Sequence, residues 1–321
     1  MRFVTFRYQG AERLGMLMGE DQVLDLPRAG LLAAELGLAQ RPQEFPNDMV
    51  SFLEAGCAPV LAAQLLAEGA AGRHGSAVAE GLRRAGALLP LASVQLLAPI
   101  PRPRKNVFCL GLNYADHAAE ASKFVQREAK LPRYPIFFSK APTAVIGPGE
   151  DIVWDQRATK ELDYEAELAV VIGQRGKNIP RDQAYDYIFG YTIVNDVSAR
   201  DLQRRHGQWH KGKSLDTTCP LGPHIVHKSA LSDPMRLDIA LRVNGEVRQH
   251  SNTARMLFDI PTIIEQLSLG LTLEPGDVIA TGTPEGVGFA RVPQALLQDG
   301  DLVEVEIEGV GVLRNRVRAE G

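Results

Sequence analysis

The sequence predicts an α+β protein that is mostly β-structure, with a mixed sheet or β-barrel and peripheral helices. Many short apolar runs are separated by turn residues, whereas few segments have the length and spacing of a helix. The dipeptide Asn244-Gly245 separates two alternating runs, which is a strong signal for a two-residue β-hairpin. Many strands with few helices argue against a doubly wound α/β fold.

The first 98 residues are predicted to form a small N-terminal α/β domain. Residues 1–26 have the pattern of a β-meander, and the Ala- and Leu-rich stretch that follows predicts helices. The prolines of APIPRPRK, residues 98–105, cannot lie inside a helix or a central strand. We therefore expect a domain boundary there, with a second domain over residues 99–321.

The second domain is predicted to consist mainly of short strands. One peripheral helix is expected over DIPTIIEQLSLG, residues 259–270, and another over residues 114–129, ending before Pro132. Strands are expected in eight runs: KNVFCLGLN, PIFFSK, ELAVVIG, FGYTIVNDVS, HIVHKS, LDIALRVNGEVRQ, GDVIATG and DLVEVEIEG.

Composition is that of an ordinary globular protein. The formal net charge of −4 gives no electrostatic footprint for nucleic acid, so no nucleic-acid partner is expected. The three cysteines have no metal-ligand spacing and are expected to be reduced. No apolar run approaches the about 18 residues of a membrane span, and no signal peptide is evident. We expect a cytoplasmic protein without a membrane partner.

An acidic triplet is divided between two apolar runs. Glu165 and Glu167 alternate in ELDYEAELAVVIG, and Asp196 follows in YTIVNDVSARD. On a strand the two glutamates point the same way, and burying both is costly unless a cation neutralises them. If a neighbouring strand presents Asp196 beside them, three oxygen ligands meet. Oxygen ligands favour Mg²⁺, Mn²⁺ or Ca²⁺ over zinc, so a metal-dependent enzyme is predicted.

The same alternation occurs elsewhere without other signs of chemistry. Glu304, Glu306 and Glu308 in LVEVEIEG are interpreted as the solvated face of an antiparallel edge strand. Spacing alone therefore does not distinguish a metal site from an exposed strand face. Sequence context favours the metal site for the first pair, because VNDVSARD, GKSLDTTCPLGP and TGTPEGVG are rich in groups that bind ions or substrate oxygens.

Other side chains are candidates for catalysis. A helix would place His117 and Glu120 on one face, where the carboxylate can orient the imidazole as a base. The alternative is a surface ion pair. Lys213 could stabilise a developing enolate, whereas Lys211 is expected to be solvated. Lys140 could pair with a substrate carboxylate or simply end a strand.

The loop TGTPEGVG, residues 281–288, follows the predicted strand GDVIA. Its three glycines allow backbone N–H groups to approach an anionic oxygen closely. The loop matches neither a P-loop nor a dinucleotide-binding fingerprint. No G-x-S-x-G motif is present, so serine hydrolase chemistry has little support.

Together these segments resemble the fumarylacetoacetate hydrolase superfamily, in its acylpyruvase and 2-hydroxyhepta-2,4-diene-1,7-dioate isomerase-like branch. The resemblance covers roughly residues 99–315 and rests on six motifs in order: GLNYADHAAE, FFSKAPTAVIGPGE, LDYEAELAVVIG, VNDVSARD, GKSLDTTCPLGP and TGTPEGVG. It implies a mixed β-sandwich roll around the metal, usually in a homodimer, preceded by a small variable domain.

The resemblance also implies roles for individual residues. The metal ligands, for Mg²⁺ or Mn²⁺ and as a further option Ca²⁺, are Glu165, Glu167 and Asp196. The catalytic groups are His117, Glu120 and Lys213. The positions that contact substrate are Lys140, Gln203, Gly282 and Thr283. Arg200 and Asp201 are expected to form an ion pair that supports the site.

The predicted activity is hydrolysis of a C–C bond in a small 2,4-dioxo acid, such as an acylpyruvate or a fumarylacetoacetate-like or fumarylpyruvate-like acid. The metal would chelate the 2-oxo acid, and a water activated by the His117–Glu120 pair would attack the distal carbonyl under a lid around residues 115–133. The alternatives are isomerisation of a 2-hydroxydiene-dioate, decarboxylation of an oxaloacetate-like acid, and dehydration of a sugar acid. A metal-binding protein without turnover is a further class, against which His117, Glu120 and Lys213 argue.

Overall fold

A computed structural model of the chain describes residues 1–71, 75–117, 120 and 131–320. The strands within these ranges are β1 Arg2–Tyr8, β2 Ala11–Met18, β3 Gln22–Asp25, β4 Leu88–Pro90, β5 Gln95–Leu96, β6 Val107–Gly111, β7 Ile136–Lys140, β8 Val145–Ile146, β9 Ile152–Asp155, β10 Leu162–Asp163, β11 Ala166–Ile172, β12 Gly176–Lys177, β13 Ile188–Asn195, β14 Ser198–Ala199, β15 Cys219–His227, β16 Asp238–Val243, β17 Glu246–Asn252, β18 Thr272–Leu273, β19 Val278–Ala280, β20 Leu302–Ile307 and β21 Gly311–Glu320. The α-helices are α1 Leu26–Leu32, α2 Met49–Glu54, α3 Cys57–Ala71, α4 Gly75–Arg84, α5 Arg200–Arg205, α6 His210–Lys213 and α7 Ile260–Ser268.

Twelve strands form one large mixed sheet. Its main path runs β4-β3-β2-β1-β15-β13-β11-β19-β6-β7, with β5 paired to β1 and β8 paired to β15. Most neighbours are antiparallel, but β19 pairs with β6 and β15 pairs with β8 in parallel. A five-stranded sheet has the order β17-β16-β20-β21-β9. The predicted α+β class, mostly β with peripheral helices, is confirmed. The expected alternatives were a mixed sheet or a barrel, and the sheets of the described residues do not close into a barrel.

Local sequence signals account for several elements. At the hairpin between β16 and β17, Asn244 and Gly245 both have positive φ, 53° and 80°, as a two-residue turn requires. Helix α7 begins after Asp259, whose side chain accepts a hydrogen bond from the Thr262 amide at 2.9 Å. Its buried face consists of apolar residues at helical spacing, so the helix packs on the main core through Ile260, Ile263, Ile264 and Leu267.

The N-terminal strands are continuous with the main sheet. Arg2 and Phe3 of β1 pair with Val226 and Ile225 of β15. Phe3 also packs against Phe52 of α2 and Phe189 of β13, with ring centroids 5.1 Å and 5.4 Å away. The N-terminal part therefore shares a sheet and an apolar cluster with the rest of the chain. The domain boundary after residue 98 stays a prediction.

The strand that contains Glu304 and Glu306 is not an edge strand, so that interpretation is wrong. β20 pairs with β16 on one side and β21 on the other. Its glutamates do face outward, where Glu306 pairs with Arg242 and Glu304 pairs with Arg314. Alternation reports which face of a strand is solvated, but it does not report how many neighbours the strand has.

The helix predicted over residues 114–129 lies mostly outside the described residues, as does the expected lid around residues 115–133. The cysteines Cys57, Cys109 and Cys219 are free thiols. Among the described residues, no helix combines the length and apolar character needed to cross a membrane.

We predict that Phe52→Ala lowers the free energy of unfolding by about 3–5 kcal/mol, because it removes a fully buried ring that joins the N-terminal part to the main sheet. The control is Leu61→Ala on α3, where the side chain is 60% exposed and the expected change is within about 0.5 kcal/mol. Urea unfolding followed by circular dichroism measures both. Equal midpoints for the two variants would show that the aromatic cluster does not stabilise this junction.

Candidate active site

The pairing of β11 with β13 brings the acidic triplet together. Glu165 directly precedes β11, Glu167 lies within it, and Asp196 directly follows β13. The Asp196 amide donates a hydrogen bond to the Glu165 carbonyl at 2.9 Å, which fixes the end of the ladder. Carboxylate oxygens of the three residues all lie within 4.8 Å of one another, and all three side chains are buried. The predicted convergence is present, whereas metal ligation by these residues stays a prediction.

Two buried lysines face the triplet. The Nζ atom of Lys213 lies 2.7 Å from Glu165 Oε2 and 2.7 Å from Asp196 Oδ2. The Nζ atom of Lys140 donates to Asp196 Oδ1 at 2.7 Å and to the Val197 carbonyl at 2.9 Å. Lys140 therefore binds a protein carboxylate directly, and its predicted contact with substrate stays a prediction.

Arg200 pairs with two acids other than the one expected. Its Nε donates to Asp163 Oδ2 at 2.9 Å, and its Nη2 lies 2.7 Å from Glu165 Oε1 in an ion pair without hydrogen-bond alignment. The expected Arg200–Asp201 ion pair is therefore wrong. Asp201 instead accepts a hydrogen bond from the Thr159 hydroxyl at 2.5 Å. Asp163 holds Arg200 in place, and the sequence patterns do not single out Asp163 for this role.

Gln203, another predicted substrate contact, lies one helical turn after Arg200 in α5. Its Oε1 accepts a hydrogen bond from Arg200 Nη1 at 3.1 Å. This contact orients the amide and leaves its Nε2 group as the donor end. The role of Gln203 in substrate binding stays a prediction.

The two glutamates of the triplet have opposite electrostatic environments. Burial alone would raise the pKa of Glu165, but Lys213 and Arg200, with a smaller effect from His117, hold that pKa below its usual value. Burial raises the pKa of Glu167, and the nearby Asp196 and Glu165 carboxylates raise it further. Glu167 Oε2 accepts a hydrogen bond from the Gly282 amide at 2.7 Å. Its Oε1 is buried and has no hydrogen-bond partner among the described residues.

This arrangement fits a divalent cation. The carboxylates of the triplet and of Asp163 number four, and the cations that contact them among the described residues number three, namely Lys140, Lys213 and Arg200. With all seven groups ionised, one negative charge is left without a partner. Opposite oxygen ligands of a magnesium or calcium ion lie about 4 to 5 Å apart, which agrees with the 4.8 Å spread. Glu167 Oε1, which no donor of the described residues contacts, offers a ligand atom. The buried acidic triplet could therefore bind a metal.

The His117–Glu120 pair belongs to the same site. His117 Nδ1 lies 3.6 Å from Glu120 Oε2, and His117 is close enough to Glu165 to affect its pKa. Both side chains are largely shielded from solvent, at 8% and 21% exposed, which argues against the alternative of a surface ion pair. Because 3.6 Å exceeds hydrogen-bond length, Glu120 and His117 would have to move slightly closer to form a hydrogen bond.

The backbone amides of the TGTPEGVG loop bind carboxylates of the chain itself. The Gly282 amide donates to Glu167, the Gly286 amide to both oxygens of Glu120 at 3.2 and 3.1 Å, and the Gly288 amide to Asp163 at 2.8 Å. The loop was expected to approach an anionic oxygen, and the oxygens that it contacts are those of the site's own acids. A substrate contact by Gly282 stays a prediction.

Thr283 lies in the same loop and is held by a residue that sequence reasoning missed. Its hydroxyl oxygen accepts a hydrogen bond from Gln249 Nε2 at 2.8 Å. Gln249 Oε1 accepts one from the Ala166 amide at 2.9 Å, so this side chain connects the loop to the start of β11. Nothing in the alternating pattern of β17 marks Gln249 as special, because burial of one glutamine depends on the neighbouring strand. The predicted contact of Thr283 with substrate stays a prediction.

Known proteins resemble this chain in both sequence and structure. The family described as fumarylacetoacetate (FAA) hydrolase C-terminal matches residues 106–318. Oxaloacetate tautomerase YisK of Bacillus subtilis (strain 168) is 42% identical over 317 residues, which cover 99% of this chain and 100% of that protein. A fumarylacetoacetate hydrolase (EaFAH) from psychrophilic Exiguobacterium antarcticum superposes with a TM-score of 0.73 at 37% identity, over 100% of both chains. A 2-hydroxyhepta-2,4-diene-1,7-dioate isomerase from Mycobacterium marinum gives a TM-score of 0.70 at 33% identity, over 100% of this chain and 99% of that one.

A mixed sheet that gathers three buried acids, two lysines and a histidine–glutamate pair defines an enzyme site for a small molecule. The chain belongs to the fumarylacetoacetate hydrolase family. The resemblance inferred from the six motifs is therefore confirmed, and it includes relatives that are named as isomerases.

We predict that Lys213→Met, measured with EDTA present, lowers the free energy of unfolding by about 3–5 kcal/mol. The substitution leaves Glu165 and Asp196 buried without the ammonium group that lies 2.7 Å from each. The matched control is Lys211→Met in the same helix, whose exposed side chain should change stability by less than about 0.5 kcal/mol. Urea titration compares the two, and equal stabilities would contradict the assigned ion pairs.

Proposed function

We propose that this enzyme tautomerises an oxaloacetate-like 2-oxo acid, exchanging its keto and enol forms. The observation that carries the proposal is the full-length similarity to an oxaloacetate tautomerase, at 42% identity, in a chain whose site has one histidine–glutamate pair beside a buried acidic triplet. An isomerase or decarboxylase of a 2-hydroxydiene-dioate or an oxaloacetate-like acid is among the expected alternatives, and this activity falls within that class. The comparisons favour it over C–C bond hydrolysis, which no finding specifically supports.

We further propose that Glu165, Glu167 and Asp196 hold Mg²⁺ or Mn²⁺. When bound there, such an ion supplies positive charge that polarises the 2-oxo group of a chelating substrate. The supporting observation is the cluster of oxygen ligands within 4.8 Å, with one buried carboxylate oxygen that lacks a partner among the described residues. Both ions accept carboxylate oxygens, so the ligand set suits either.

The reaction needs only a proton transfer, and the chain has groups suited to each part. His117 would accept the proton from the carbon beside the 2-oxo group, which breaks that C–H bond and leaves an enolate. The His117 imidazolium then gives that proton to the enolate oxygen, which forms the O–H bond of the enol and returns His117 to its neutral form. The reverse sequence restores the ketone. Since Nδ1 of His117 faces Glu120 at 3.6 Å, Nε2 is the ring atom left for exchange with substrate.

The surrounding charges would favour the enolate. Glu120 stabilises the imidazolium that forms when His117 takes the proton. Lys213 contributes a buried positive charge beside the metal ligands, where negative charge grows on the substrate oxygen. Lys140 and Arg200 hold Asp196 and Glu165 in place. Hydrolysis would use the same enolate but would also require a water positioned to attack a second carbonyl.

The test follows the ultraviolet absorbance of the oxaloacetate enol together with the total oxaloacetate concentration. With Mg²⁺ or Mn²⁺ we expect the enzyme to speed equilibration while the total concentration stays constant, and EDTA to abolish the effect. We expect His117→Ala to slow equilibration by about 10²–10⁴, the usual contribution of a general base. The control His250→Ala changes an exposed histidine on β17 and should keep the parental rate.

Other products would identify another activity. Loss of total oxaloacetate with release of carbon dioxide, without faster equilibration, would favour a decarboxylase. Release of two acids from an acylpyruvate, again without faster equilibration of oxaloacetate, would favour the hydrolase. An enzyme that leaves the equilibration rate unchanged with either ion contradicts the proposal.

A further inference from the structure

The backbone of Gly286 is held at both of its polar groups, the N–H and the carbonyl. Its N–H donates to both carboxylate oxygens of Glu120, at 3.2 and 3.1 Å. Its carbonyl oxygen accepts a hydrogen bond from the Tyr164 hydroxyl at 3.1 Å. A carbonyl can only accept, so the phenol is the donor. The N–H and the carbonyl belong to the two amides that meet at the Gly286 Cα, so Tyr164 is connected to the carboxylate through the backbone of this one residue.

The conformation of Gly286 depends on the groups that contact it, because a residue without a side chain has few steric limits of its own. Its φ is +100°, which is outside the range that side-chain-bearing residues favour, and a Cβ there would collide with the carbonyl oxygen of Arg248. On the side where a Cβ would lie, Gly286 packs against the backbone of β17 at Arg248 and Gln249. The hydroxyl of Tyr164 therefore helps to set the direction in which the Gly286 N–H points.

Tyr164 itself is firmly anchored. Its side chain is buried, and its amide donates to Asp163 Oδ1 at 2.9 Å. The same Asp163 carboxylate accepts from the amides of Gly288 and Phe289 and from Arg200, so the segment 163–164 is tied to the end of the loop. The residue that follows Tyr164 is Glu165, which places the phenol and the acidic triplet on one stretch of chain.

We propose that Tyr164 is a positioning residue for proton transfer: through the backbone of Gly286 it holds Glu120 in the orientation that supports His117. The inference rests on the proposed function, because it assigns importance to the His117–Glu120 pair. It is consistent with the open geometry of that pair, whose 3.6 Å separation leaves its alignment dependent on what holds Glu120. The Gly286 N–H is the contact that supplies this restraint among the described residues.

The test is a double-mutant cycle on the tautomerisation rate with Tyr164→Phe, Glu120→Gln and the double variant. Removing the hydroxyl should lower kcat by about threefold to tenfold, the factor for one hydrogen bond, with KM and the Mn²⁺ dissociation constant unchanged. In the Glu120→Gln background the same change should have no further effect, because the group that it positions is already disabled. Tyr191→Phe, at another buried tyrosine away from the loop, is the control and should keep the parental kcat.

Each outcome is decisive once thermal unfolding has shown that the variants are folded. If Tyr164→Phe lowers kcat by the same factor in both backgrounds, or raises KM instead, the positioning role is overturned while the proposed function stands. If Glu120→Gln alone leaves kcat unchanged, Glu120 has no role in turnover and the positioning role of Tyr164 falls, while the tautomerase activity stands. A parental enzyme that does not speed equilibration would overturn the proposed function instead. If Tyr164→Phe keeps the parental kcat, the hydroxyl does not position Glu120.

Discussion

The burial of three carboxylates against two lysines and an arginine is the interaction on which the rest of the site depends. Separating these acids from water is unfavourable unless each negative charge finds a partner. Glu165 and Asp196 are paired on both of their oxygens. Among the described residues, Glu167 has only one partner, the Gly282 amide on Oε2. The strand pair β11–β13 brings this uncompensated charge to one point, and the proposed divalent cation would neutralise it.

Much of the fold could be predicted because its signals are local. The Asn244-Gly245 turn and helix α7 follow from residues within a few positions of each other. Whether a strand has one neighbour or two depends on distant parts of the chain, so the local pattern of β20 does not show that it lies between β16 and β21. Likewise, the continuity of β1 with β15 joins residues more than 200 positions apart, for which no local pattern exists.

In the site, too, features with local sequence signals could be predicted, whereas contacts between distant segments could not. The acidic triplet could be predicted because the spacing of the acids and the apolar residues around them both lie within two short segments. The partner of Arg200 was not, since choosing Asp163 over the adjacent Asp201 depends on how α5 docks beside β10. The loop TGTPEGVG was expected to bind an anion, and its amides do so, but the anions are Glu167, Glu120 and Asp163. A glycine-rich loop here organises protein carboxylates around the place where a substrate would bind.

Diffraction from crystals grown with Mn²⁺, recorded where manganese scatters anomalously, tests the central claim most directly. We expect one strong anomalous peak between the carboxylates of Glu165, Glu167 and Asp196, with Glu167 Oε1 among the ligands. A map without a peak at that point, in crystals in which Lys213 still bridges Glu165 and Asp196, would contradict the claim that these acids form a metal site.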